Sequence, residues 1–270
     1  MRYRAIVLDL DGTLTNDAKE ITPKVKESLL KAQKKGIRII LASGRPTFGI
    51  QKLADELVIG SHGGYVMAYN GGSIIEWSTK TTISNTTLSP DLVPELYDAA
   101  RRHGCEILTY QGDGIAATSI KNKYVLHEAF INKMPLTQYD DFLNQIIYPI
   151  NKCLITGNPK VVVQVEKELS EAMAGRMDVY RSAGFFLECV PSGIDKAASL
   201  QFILSLTGIE REEVIAVGDG YNDLSMIRYA GLGVAMANAA REVQDEADYI
   251  TYSNQEDGVA HVVEKFILSE

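Results

Sequence analysis

The chain has 270 residues, 46% of them hydrophobic and 23% charged, enough for one large core or two moderate ones. Its net charge of −8 leaves no basic face for nucleic acid, and no apolar run approaches the length of a membrane span. The opening MRYRAIVLDLDG is too short and too acidic for a secretion signal, and Cys105, Cys153 and Cys189 lack metal-ligand spacing, so free thiols in a cytoplasmic protein are expected.

Residues 5–8, AIVL, predict a short buried strand ending at Asp9. TPKVKESLLKAQKKG follows as a helix, with Thr22 as N-cap, Pro23 at the first position and Gly36 as the stop. IRIILA is a second buried strand ending at Ser43, and RPTFGIQKLADEL opens a helix at Pro46. Strand, helix, strand, helix with apolar strands predicts a parallel sheet covered on both faces. YVMAYNGGSIIEW then reads as a hairpin turning at Asn70-Gly71-Gly72.

The rhythm changes near residue 84. A helix capped by Ser89 leads to strands CEILTY and GIAATS, helical stretches near 124–132 and 138–146, strand NKCLIT, a helix from Pro159, and strands MDVYRS and FFLECV. These elements do not alternate singly and predict a separate α+β unit. Alternation resumes near residue 190 with DKAASLQFILSLTG (helix), VIAVG (strand), NDLSMIRYAG (helix), LGVAM (strand), AREVQDEA (helix), DYIT (strand) and a helix from about 256. The expected fold is α/β: a Rossmann-like parallel-sheet core of residues 1–83 and 189–270, with an α+β domain of residues 84–188 inserted into it.

Asp9 and Asp11 stand two apart behind AIVL, where like charges repel and desolvation is costly. Two further groups fall at predicted strand ends: Ser43-Gly44-Arg45 and Gly218-Asp219-Gly220-Tyr221-Asn222-Asp223. The carboxyl ends of the strands in an open parallel sheet form the crevice where ligands bind. Asp, Ser and Gly are common turn residues, yet three such segments sharing four carboxylates point to one site. Asp9, Asp11, Asp219 and Asp223 form an oxygen-only set without His or Cys, which suits Mg²⁺ and supplies the partner the paired carboxylates want. Asp223 is expected in the first turn of its helix, where the helix dipole favours negative charge. Pro46 sets Ser43 and Gly44 near a helix N-terminus, a setting that suits a phosphate oxygen together with the Arg45 guanidinium.

DLDGT, SGR, the lysine of DKA and GDGYND occur in the order of the motifs of the haloacid dehalogenase-like hydrolases. Over essentially its whole length the chain resembles the Cof-type IIB subclass, and the inserted unit resembles that subclass's cap domain. The resemblance implies a Mg²⁺-dependent phosphatase acting on a small phosphorylated metabolite, sugar phosphates foremost. It implies Asp9 as the nucleophile that becomes an aspartyl-phosphate and Asp11 as the general acid/base. Asp9, the Asp11 carbonyl and Asp219 would hold Mg²⁺, with Asp223 acting through water or from behind. Gly12, Thr13, Ser43, Gly44, Arg45 and Lys196 would bind the phosphoryl group, and Asn222 would orient the phosphate or the nucleophile. The second Asp separates phosphatases and phosphomutases from the family's dehalogenases, which lack it, and from its ion pumps, which carry Thr. Ala197 departs from the Gly that often follows the lysine.

A phosphomutase would return the phosphoryl group to substrate, and phosphate release with and without a bisphosphate activator separates the two activities. A phospho-acceptor signalling domain would be one small domain without DxDGT or the insertion. Neither G-x-x-x-x-G-K-[ST] nor G-x-G-x-x-G occurs, which argues against a nucleotide-binding protein. The inserted unit, with 10 basic and 13 acidic residues, offers no nucleic-acid groove. It is expected to close as a lid over a small ester and to exclude folded macromolecules. Tyr110, His127 and Glu188 within it read as packing or surface residues, and no membrane or obligate protein partner is expected.

Overall fold

A computed structural model describes residues 2–269. The chain divides into one unit that runs to Ser84 and resumes at Asp195, and a second that spans Asn85–Ile194. The first begins with β1 (Ala5–Leu8), α1 (Pro23–Lys34), β2 (Arg38–Ala42), α2 (Thr47–Glu56), β3 (Tyr65–Ala68), β4 (Ser73–Glu76) and β5 (Thr81–Asn85). There follow α3 (Leu92–Arg102), β6 (Glu106–Gln111), β7 (Gly114–Ala117), α4 (Lys123–Asn132), β8 (Leu136–Gln138) and α5 (Phe142–Gln145). β9 (Cys153–Thr156), α6 (Pro159–Ala172), β10 (Met177–Ala183) and β11 (Phe186–Pro191) complete the second unit. The chain returns with α7 (Lys196–Thr207), β12 (Val214–Gly218), α8 (Leu224–Tyr229), β13 (Leu232–Ala235), α9 (Arg241–Gln244), β14 (Tyr249–Ile250) and α10 (Gly258–Val263).

The first unit is built on a sheet of order β14-β13-β12-β1-β2-β3-β4-β5, parallel from β14 to β3, with β4 antiparallel to β3. β1 is apolar throughout because both of its faces are covered. Ile6 and Leu8 join a core with Ile39, Leu41, Ile215 and Val217, while Ala5 and Val7 join another with Ile40, Ala42, Val214 and Ala216. Each fully buried branched side chain contributes about 1.5–3 kcal/mol. β1 lies between β2 and β12, and the chain leaves β1 toward β2 but leaves β12 toward β13, so the carboxyl ends of β1 and β12 flank a switch point.

The second unit has a sheet of order β10-β11-β9-β6-β7-β8, antiparallel except for the β7–β8 pair. Leu96 and Ala99 of α3 and Val162 and Leu169 of α6 pack with Ile107, Ile155, Leu187 and Cys189 of its strands. Polar groups are buried here too: Lys152 Nζ lies 2.9 Å from Glu188 Oε2, and the Tyr110 hydroxyl donates to Glu128 Oε1 at 2.6 Å. The three cysteines are free and buried. Among the described residues no helix is long and apolar enough to cross a membrane.

Thr22 caps α1 by accepting from the Val25 N–H, as its place before Pro23 suggests. Other expectations shift. Pro46 is the N-cap of α2 with extended backbone, not its first helical residue. α3 starts behind Asp91, so Ser89 stands outside it and its hydroxyl donates to the Asp91 carboxylate instead. The helix expected over 138–146 contracts to α5, because Leu136–Gln138 pairs in parallel with β7 and long-range pairing overrides local preference. The return to the core expected at 189 falls at Asp195, since β11 pairs with β9 and β10 and keeps the chain in the second unit.

Candidate active site

β1 delivers Asp9 to the switch point, where its N–H donates to the Val217 carbonyl of β12 at 3.0 Å. The chain then turns tightly at Gly12, whose φ of +84° is left-handed and where a Cβ would stand 2.3 Å from Asp219 Oδ2. Only glycine permits that approach. Thr13 Oγ1 donates to Asp219 Oδ1 at 2.8 Å, tying the loop after β1 to the loop after β12.

Lys196 begins α7, whose N-cap Asp195 accepts from the N–H groups of Ala197 and Ala198. Its Nζ is buried and donates to Asp9 Oδ1 (2.7 Å), Asp223 Oδ1 (2.6 Å) and the Ala42 carbonyl (3.0 Å). Asp223 is buried as well, and its other oxygen accepts from the N–H groups of Asp219 (3.0 Å) and Gly220 (2.9 Å). Both Asp223 oxygens are therefore engaged, and its part is to hold Lys196 and the turn after β12. Removing one partner of such a buried ionic group costs about 3–5 kcal/mol.

Asp9, Asp219 and Asp223 each bring a carboxylate oxygen to within 4.8 Å of the others. Burial first, and then the Asp223 charge, push the Asp9 carboxyl well above its ordinary range despite Lys196. Burial alone would lower the Lys196 ammonium, but Asp223 and Asp9 outweigh it and hold it charged. Three carboxylates against one ammonium leave two uncompensated negative charges on hard oxygen donors. That donor set fits a divalent hard cation.

Asp219 is raised to about 6, chiefly by burial, with the Asp223 charge adding and the Thr13 hydrogen bond opposing. A cation needs the ionised form. Asp9, raised as well, must also give up its proton, so Mg²⁺ affinity is expected to fall by at least about tenfold per pH unit below about pH 6. Titration calorimetry on either side of that pH checks this, and a constant affinity overturns it. Without metal the sign reverses: a raised carboxyl stabilises the protonated fold at low pH, and that stability is lost as pH rises through about 6.

The Asp11 carboxylate stands apart from this triad. Arg45 grips it with two bonds, Nε to Oδ2 at 2.7 Å and Nη2 to Oδ1 at 2.6 Å, and Lys19 Nζ lies 2.7 Å from Oδ1. Burial pushes the Asp11 carboxyl up, but the hydrogen bonds and charges of Arg45 and Lys19 outweigh it and hold it ionised below its usual range. The Arg45 guanidinium, expected at a phosphate, is here directed to Asp11. Ser43 is buried, and its Oγ accepts from the Arg45 N–H at 3.1 Å. Asn222 is exposed, and its Nδ2 donates to Asn70 Oδ1 at 3.0 Å.

Three participants escape motif reading. Lys19 has a left-handed φ of 61°, which its sequence does not announce. Asn70 looks like a hairpin residue. Asn238 donates to the Gly12 carbonyl at 2.8 Å and to Asp219 Oδ2 at 3.4 Å, while its Oδ1 accepts from the Asn254 N–H at 2.9 Å. Its place just after the LGVAM strand is the signal that could have found it, by the strand-end logic that picked out Asp9 and Asp219.

Residues 6–263 match the haloacid dehalogenase-like hydrolase family. YxeH of Bacillus subtilis (strain 168) is 33% identical over 271 residues, covering 99% of this chain and 100% of that one. The 5-amino-6-(5-phospho-D-ribitylamino)uracil phosphatase YcsE of the same organism is 28% identical, covering 98% and 96%. Among solved structures, a haloacid dehalogenase-like hydrolase from Bacteroides thetaiotaomicron superposes with a TM-score of 0.95 at 51% identity, covering 97% of this chain and 99% of that one. A Thermotoga maritima protein superposes with a TM-score of 0.87 at 26% identity, covering 98% and 97%.

Proposed function

This chain is a haloacid dehalogenase-like hydrolase, a phosphoric monoester hydrolase, and on that premise we propose a Mg²⁺-dependent phosphatase of small phosphomonoesters, sugar phosphates foremost, that works through an aspartyl-phosphate on Asp9. One observation carries the reading: the Asp9 carboxylate ends β1, 2.7 Å from the buried Lys196 Nζ and clustered with Asp219 and Asp223. Mg²⁺, held by Asp9, the Asp11 carbonyl and Asp219, would neutralise charge as the phosphate meets a carboxylate nucleophile.

An Asp9 carboxylate oxygen attacks phosphorus while the ester oxygen departs, and Lys196 offsets the charge that gathers there. Asp11 protonates the departing alkoxide. It then takes a proton from the water that cleaves the aspartyl-phosphate, which releases inorganic phosphate and restores Asp9. Substrate phosphate competes with Asp11 for the Arg45 guanidinium. Once Arg45 moves to the phosphate, the Asp11 carboxyl loses a cationic neighbour, its pKa rises, and it can carry the proton. The Ser43 Oγ already accepts from the Arg45 N–H, so its own proton is available to a phosphoryl oxygen.

The name of YcsE, a phosphatase of a ribityl phosphate at 28% identity, supports a small ester as substrate. Phosphate release over a panel of phosphorylated metabolites tests the activity. The kcat/KM for hexose and pentose phosphates is expected to exceed that for phosphopeptides and folded phosphoproteins by about 100-fold or more. Equal efficiency on a folded phosphoprotein refutes the small-metabolite assignment.

A further inference from the structure

Three consecutive residues between β3 and β4 have left-handed backbones: Tyr69 (φ 53°), Asn70 (φ 57°) and Gly71 (φ 102°). Glycine adopts that region freely and asparagine tolerates it, but tyrosine is strained there. Joining two antiparallel strands does not require such a run. The turn instead reaches into loops that the proposed reaction uses. The Tyr69 N–H donates to the Arg45 carbonyl at 3.0 Å and the Asn70 N–H to the Ser43 carbonyl at 2.8 Å, gripping the backbone on both sides of Gly44. The Asn70 amide lies over Gly44, where a Cβ would meet its Oδ1 and Nδ2 at 3.4 Å. Its Oδ1 accepts from Asn222 Nδ2 at 3.0 Å, while Asn222 Oδ1 lies so close to Gly220 that a Cβ there would stand 2.4 Å away. Gly71 packs on α7, with Ser199 Oγ donating to its carbonyl at 3.1 Å and standing 2.1 Å from where a Cβ would be.

One strained turn thus touches the Ser43–Arg45 loop, the loop of Asn222 and the helix that opens with Lys196. Strain of this kind persists only where its surroundings hold it, and it gathers at functional sites. We propose that Asn70 is a positioning residue for the phosphoryl group: its side-chain oxygen fixes the Asn222 amide so that Asn222 meets the phosphate in one orientation. The inference deepens the phosphatase reading and rests on it.

Asn70→Gly retains the left-handed backbone, which glycine adopts more readily than asparagine, and removes only the amide. Its melting temperature is expected to match that of the wild type. With Mg²⁺ present, the KM for a hydrolysed phosphomonoester and the Ki for orthovanadate are expected to rise about five- to tenfold, the worth of one hydrogen bond. The kcat should change less, because ground and transition states share the grip. Asn222→Ala should raise both constants similarly, and the double variant should be no worse than Asn222→Ala alone. Asn70→Gly with wild-type KM and Ki, or a double variant whose losses add, overturns the inference. Wild-type protein that neither hydrolyses phosphomonoesters nor binds orthovanadate overturns the phosphatase reading and this inference with it. Wild type that does both, beside an unchanged Asn70→Gly, overturns this inference alone.

Discussion

Asp9→Asn is expected to lower turnover by roughly 10⁴-fold or more, the scale on which an enzyme loses its nucleophile. Asparagine keeps the size and can still face Lys196, but it offers no anionic oxygen to phosphorus. The variant should fold. Burial and the Asp223 charge raise the wild-type Asp9 carboxyl, so at neutral pH its ionised form is a burden on the metal-free fold, and a neutral amide relieves it. Lys196 retains Asp223 as its counter-ion at 2.6 Å. Steady-state kinetics with a melting curve on the same sample therefore separate chemistry from stability. A variant that keeps a tenth of wild-type activity removes Asp9 from the nucleophile's role.

Chelation comes second in size. Metal-free protein is expected to release phosphate at background rate, with activity returning on addition of Mg²⁺ and only weakly with Ca²⁺, which prefers a larger and more flexible shell. The cause is the pair of uncompensated negative charges where Asp9, Asp219 and Asp223 converge, which repel an anionic ester until a cation is present. Mg²⁺ should also raise the melting temperature, since it binds the folded cluster and not the open chain. Full activity in protein shown by elemental analysis to be metal-free overturns the requirement.

Much of the core is legible in the sequence because both faces of its strands are buried: AIVL, the IILA of β2 and VIAVG are continuous apolar runs that end in polar residues. That pattern sets Asp9 and Asp219 at strand ends, where an open parallel sheet forms its crevice. Lys196 is a different case. A lysine at a helix start says nothing of burial, and only its order among the motifs singled it out. Arg45 shows what one-dimensional reading lacks, since its fork is engaged by a carboxylate 34 residues away, with Lys19 on the same group. Asn70 and Asn238 stayed hidden because asparagine is ordinary in turns, and what sets these two apart is the partner each meets across the sheet ends. β8 spans three residues, too short a pattern to compete with a neighbouring helical signal.

The adjacency of β1 and β12 shapes how the protein is made. Ala5 pairs with Val214 and Leu8 with Val217, so one edge of β1 has no partner until the ribosome has passed residue 217. At roughly 5–20 residues per second that delay is on the order of ten seconds or more. During it an apolar strand offers its open edge to any other strand, the situation in which nascent chains aggregate. The Asn85–Ile194 unit closes its own sheet from contiguous chain and can condense in the meantime. Asp9 is therefore made well before Lys196 and Asp219, and the cluster these residues form cannot assemble until the chain has returned from the Asn85–Ile194 unit.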